Sequence, residues 1–144
     1  MREIKFRAWD KKTKELFPVH ELTYGRNGGH LTTVKGYTHD EKDIWNVYGG
    51  HFMMYANAPR YVLMQYTGLK DKNGKEIYEG DILTDNGDEG PIFVEYSQEH
   101  AGFVFVDKFD VQGPTLYTPK EISYEIFEII GNIYENPELL EVSE

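Results

Sequence analysis

His20, His30, His39, His51 and His100 are the side chains best able to hold a metal or shuttle a proton, and their spacing suits neither task. No two stand at i, i+2 or i, i+4, the separations that bring two imidazoles onto one ion. Asp71-Lys72-Asn73-Gly74 and Asp85-Asn86-Gly87-Asp88-Glu89 open like calcium loops. A complete loop carries glycine at position six and glutamate at position twelve. The first has Glu76 and Ile82 there; the second has Gly90 but Tyr96. Turn chemistry explains both better. Glu3-Ile4-Lys5 matches half of a metal-nuclease motif, but no acid precedes it. Glu79 and Asp81 would share a strand face only if Gly80 did not bend the chain. No nucleophile elbow, phosphate loop or dinucleotide fingerprint occurs. The reading assigns no catalytic, cofactor-binding or metal-ligating residue, and expects a protein that is not an enzyme and carries no cofactor.

The bases are placed more tellingly. Arg2, Lys5, Arg7, Lys11, Lys12 and Lys14 crowd the first fourteen residues, whereas the stretch from Glu121 to the end has seven acids and no base. The solvated face of a hairpin accounts for much of the basic cluster. A contact surface there would use Arg2, Lys5, Phe6, Arg7 and Trp9, the candidate interaction residues. The net charge of −10 opposes tight binding to duplex DNA. Aromatic residues make up 15% of the chain. In a β-protein they fill the core and brace cross-strand pairs, and exposed ones serve interfaces.

The elements that must carry these residues are strands. Glu3 to Asp10 alternates, with Ile4, Phe6 and Ala8 on one face and Lys5, Arg7 and Trp9 on the other. Leu16-Phe17-Pro18-Val19 returns to form a hairpin, and Pro18 makes it an edge candidate. Between His20 and Arg60 the pattern is weak. Leu31 to Val34, Asp43 to Tyr48 and His51 to Tyr55 are strand candidates, with a helix over 40–47 as the alternative. From Tyr61 the pattern sharpens. Tyr61 to Tyr66, Pro91 to Tyr96, Gly102 to Val106 and Glu125 to Tyr134 read as strands, the last kinked at Gly131. Asn73-Gly74 predicts a type I′ hairpin turn with two positive φ values. Asn136-Pro137 opens one helical turn. The expected architecture is mainly β: residues 1–60 form a hairpin and an irregular region, and residues 61–144 form an SH3-like small barrel with a short tail.

Absence of cysteine fits a reducing cytosol, and Arg2, Glu3 and Lys5 occupy the place where a signal peptide would set its apolar run. The chain is expected in the cytoplasm, away from membranes.

Three blocks resemble YopX-family proteins. They are Met1 to Asp10 with Leu16-Phe17; Leu63 to Asp71 followed by Gly74 to Ile82; and Ile129 to Leu140. The resemblance implies a phage or prophage protein, mostly β, with an SH3-like C-terminal part, acting in the bacterial host cytoplasm. It brings no activity and no catalytic residue. The leading expectation is a non-enzymatic accessory protein that works through protein–protein contacts, with a host or phage protein or as a homo-oligomer. The alternatives are a nucleic-acid-associated module using Arg2, Lys5, Arg7 and Lys11, and an acidic inhibitor of a host nucleic-acid-binding protein.

Overall fold

A computed structural model describes residues 2–24, 31–37, 43–47, 61–87 and 90–141. Among them the chain is mainly antiparallel β-structure, arranged in two sheets. Its contacts divide it into two compact units, Ile4–Gln65 and Tyr66–Glu144 with Met1–Glu3.

The unit Ile4–Gln65 is built on a hairpin. Strand β1 (Phe6–Asp10) pairs with β2 (Glu15–Tyr24) from Phe6↔Val19 to Asp10↔Glu15. Asp10 makes the turn possible. Its Oδ1 accepts from the N–H groups of Lys12 and Thr13, at 2.9 and 3.3 Å, and its carbonyl accepts from Lys14 N–H. Lys14 takes φ 62° to close the loop. Strands β3 (Leu31–Tyr37) and β4 (Asp43–Val47) follow, so the region over 43–47 is a strand and not the alternative helix. The candidate strand at 51–55 lies outside the described residues. Strand β5 (Tyr61–Lys70) lies on the other side of β1, with Phe6↔Gln65 and Asp10↔Tyr61. The sheet order is β4-β3-β2-β1-β5, continued by β6 (Glu76–Tyr78), which pairs with the later residues of β5.

This arrangement corrects the expected edge. β2 has β3 beside it from Val19 onward, so it is an edge only around Pro18, where the register with β3 has not begun. Proline is tolerated there because no partner requires its missing N–H. β1 has a neighbour on each side. The core of this unit gathers Ala8, Phe17 and Tyr61, with Val19 and Leu22 packed against them. The Phe17 and Tyr61 rings meet edge to face at 6.0 Å.

In the second unit, β7 (Asp81–Thr84), β8 (Ile92–Ser97), β9 (Gly102–Asp107), β10 (Thr115–Tyr117) and β11 (Glu128–Asn132) form a sheet ordered β10-β9-β8-β7-β11. The order is open, with β10 and β11 at its ends. The apolar run of β9 falls inside the sheet, as its two-sided hydrophobicity requires. Ile77, Leu83, Ile92, Val94 and Phe105 make the core, and Tyr124 stacks on Phe105 at 6.4 Å. Tyr124–Ile126 is a 3-10 turn, not the start of the long strand expected from Glu125. A second 3-10 turn, Pro137–Leu140, has Pro137 in its first turn as predicted.

Candidate functional site

The conspicuous polar residues of the sequence are anchors for backbone. Asp71 is only 6% exposed. Its Oδ1 accepts from Asn73 and Lys75 N–H at 2.8 and 2.9 Å, and its Oδ2 accepts from Ile129 N–H at 3.1 Å, 58 residues away. Burial works to raise its pKa. The N–H groups of Ile129, Lys75 and Asn73, with the Lys75 charge, outweigh burial and hold the carboxyl below its ordinary value. Lys72 adds a backbone bond to Phe127 and an ion pair to Glu128 at 3.6 Å.

The turn that Asp71 supports differs from the expected type I′. Only Gly74 has positive φ, at 79°. Gly74 N–H reaches the Asp71 carbonyl, and Asp71 N–H reaches that of Lys75. This is a three-residue loop closed by a left-handed glycine. The side-chain acceptor of Asp71 stabilises the turn without a second left-handed residue.

Asp81, almost fully buried, accepts from Tyr78 N–H at 2.8 Å across the bend at Gly80, whose φ is 84°. Asn132 Oδ1 accepts from Tyr134 and Glu135 N–H. Asn136 Oδ1 accepts from Asn132 N–H, and a Cβ on Gly131 would sit 2.4 Å from that same oxygen. Gly131 therefore admits the Asn136 side chain. Asp85 likewise accepts from Gly87 N–H. Both calcium-like segments thus spend a carboxylate on their own turns.

A concave feature of the described residues lies elsewhere. A groove of about 220 Å³ is lined by Ile4, Lys5 and Phe6 at the start of β1 and by Val19, His20, Glu21 and Leu22 on β2. The β2–β3 register shifts between Val19 and Glu21, which leaves His20 as an extra residue. Such a bulge bends its strand and re-aims the side chains around it. Four of its lining side chains are apolar, and Lys5, His20 and Glu21 are polar. Ile4 is 63% exposed.

The expected interaction residues separate here. Lys5 and Phe6 line the groove. Arg2 is exposed and belongs to the other unit. Arg7 is half-buried opposite Pro18 and Met64. Trp9 is 5% exposed between β2 and β5, opposite Leu16 and Val62, so it is a packing residue and not a surface contact. The alternation argument placed Trp9 on the open face because it assumed one face of β1 was solvated; at this end of the strand Ala8, Trp9 and Asp10 are all covered. Val19, His20, Glu21 and Leu22 were not expected in a site. Only the bulge brings them to one, and nothing in the local sequence marks a bulge at His20.

Residues 5–141 match the family described as YopX protein. The chain belongs to the YopX family. The solved structure of protein EF1440 from Enterococcus faecalis is similar to it, at 32% identity and a TM-score of 0.64, over 98% of this chain and 100% of that one. No curated protein matches. The YopX blocks seen in the sequence contain Asp71, Gly74, Gly80, Asp81, Gly131, Asn132 and Asn136, the residues that fix the turns of the second unit. Their wording is explained by architecture. Among the described residues no group of three or more His, Asp or Glu side chains is placed to hold a metal, and no helix is long and apolar enough to cross a membrane.

Proposed function

We propose that this chain is a non-enzymatic phage or prophage accessory protein that acts in the bacterial cytoplasm through protein–protein contacts. The observation that carries this reading is the bulge-shaped groove, a concavity lined by both apolar and polar side chains. A small recess of this mixed character suits an anchoring side chain of a partner protein. The motif carboxylates Asp71, Asp81 and Asp85 are engaged in holding turns. The family's phage association adds weight to the setting. The order β11-β7-β8-β9-β10, with a 3-10 turn before the last strand, supports the reading of residues 61–144 as SH3-like, a scaffold suited to binding.

A test compares proteins retained from host lysate by the wild-type chain and by Leu22→Asp, which places a charge in the groove. A partner held by the first and lost by the second supports the reading. Retention unchanged by the substitution, with the variant folded by circular dichroism, overturns it. The acidic-inhibitor reading has its own support in the charge of the second unit. Tyr66–Glu144 with Met1–Glu3 holds six bases and nineteen acids, a net of −13. Capture of a nucleic-acid-binding protein that a short duplex displaces would favour it.

A further inference from the structure

Val111 is 99% exposed, a β-branched apolar side chain wholly in water. It stands at the tip of the β9–β10 connection, on a turn that is tightly fixed. Gly113 N–H reaches the Asp110 carbonyl at 2.9 Å. Gln112 N–H reaches Asp110 Oδ1 at 3.0 Å, and Thr115 Oγ1 donates to Asp110 Oδ2 at 2.8 Å. Gly113, at φ 107°, lets the chain turn back into β10. A side chain held out this way loses little conformational freedom on docking. Leu116 on the end strand β10 is also 42% exposed.

We infer that the groove of one copy receives the Val111 turn of a second copy. This rests on the reading of the chain as a protein-contact module, and it names the partner. The groove offers Ile4, Phe6, Val19 and Leu22 to a small branched side chain. Charge decides the pairing. Ile4–Gln65 holds nine bases and six acids, net +3, against −13 for the rest, which together give the chain's −10. A symmetric contact of groove to groove, or of turn to turn, sets like against like. Head-to-tail docking sets the −13 unit against the +3 unit; at the contact itself Asp110 stands beside the knob, and Lys5, His20 and Glu21 line the groove. Complementary fields of this kind speed encounter and fix orientation. The contact is heterologous, so it closes into a ring or extends as a filament.

The chain has no cysteine, which makes cross-linking clean. Val111→Cys chains are mixed with Ile4→Cys chains under a mild oxidant that takes up the two thiol hydrogens as the disulfide forms. Both positions are exposed, so the fold tolerates the change. The expected result is a disulfide dimer several-fold more abundant in the mixture than in either variant alone. It should also exceed Ile4→Cys mixed with the exposed control Gln98→Cys. Light scattering of the wild type should give a mass above one chain at micromolar concentration, falling as salt rises from about 0.05 to about 0.5 M. Val111→Asp should return that mass to one chain. A single-chain mass at every loading, or equal cross-linking through Gln98→Cys, overturns the inference. If, in that case, a host protein still depends on Leu22 for capture, the protein-contact reading stands and only the self-docking falls.

Discussion

Among the described residues, Ile4–Gln65 shows a hairpin ladder and a buried cluster around Phe17. Among the described residues of Tyr66–Glu144, a core around Ile77 and Phe105 is supplemented by side chains that bond to backbone in distant turns. Asp10 is the first unit's counterpart of Asp71 and accepts from the backbone of its own loop. Asp71 reaches β11 as well as its own turn. The difference has a physical cause. The second unit has short strands joined by sharp turns, and their backbone groups have no ladder partners. Such groups must be satisfied by side chains when they are buried. Polar residues that stand out in the sequence can therefore be the mark of irregular backbone and not of chemistry.

The largest expected effect is on the first unit. Phe17→Ala removes a ring that is 2% exposed from a cluster of three buried residues, and should cost about 3–5 kcal/mol. Hydrogen exchange should show faster opening of the β1–β2 amides than of Val104 and Phe105. Equal acceleration in both units would break the comparison.

Asp71→Ala is the matching test in the second unit. It leaves three backbone N–H groups without their acceptor and should cost about 2–3 kcal/mol. Exchange at Asn73, Lys75 and Ile129 should rise together. If only the two local amides respond, the bridge to β11 is not the stabilising part.

Gly131→Ala forces a Cβ against the Asn136 side chain and should cost about 1–3 kcal/mol by urea midpoint. Gly74→Val meets open space but a left-handed backbone, so its cost of about 1–2 kcal/mol is strain alone. Gly131→Ala combined with Asn136→Ala should recover part of the loss, whereas no second change should rescue Gly74→Val.

The smallest effect is the pH dependence. The folded Asp71 carboxyl titrates below its ordinary value, so the unfolded state takes up the proton first. Its stabilisation is complete above about pH 5 and is lost as pH falls through the folded pKa. The wild type should lose more stability than Asp71→Asn between neutral and acid pH. Parallel curves would show that the Asp71 charge contributes nothing beyond hydrogen bonding.

The sequence by itself determined that the chain is β-rich, because alternation and β-prone runs are local properties that survive without knowledge of partners. It marked the bends at Gly74 and Gly80, since few residues but glycine accept a left-handed backbone. It also carried the YopX blocks. It misread the Asn73-Gly74 turn type because Asp71 supplies an acceptor from outside the dipeptide. It extended a strand over Glu125–Phe127 because a 3-10 turn with apolar residues has no distinct period over three residues. Tertiary structure alone decided that Trp9 is covered, because β5 lies some fifty residues away in sequence. It alone made the groove, because a one-residue register shift at His20 depends on the pairing of β2 with β3. Local pattern records what a residue prefers; the placement of strands from distant parts of the chain decides which preferences face water.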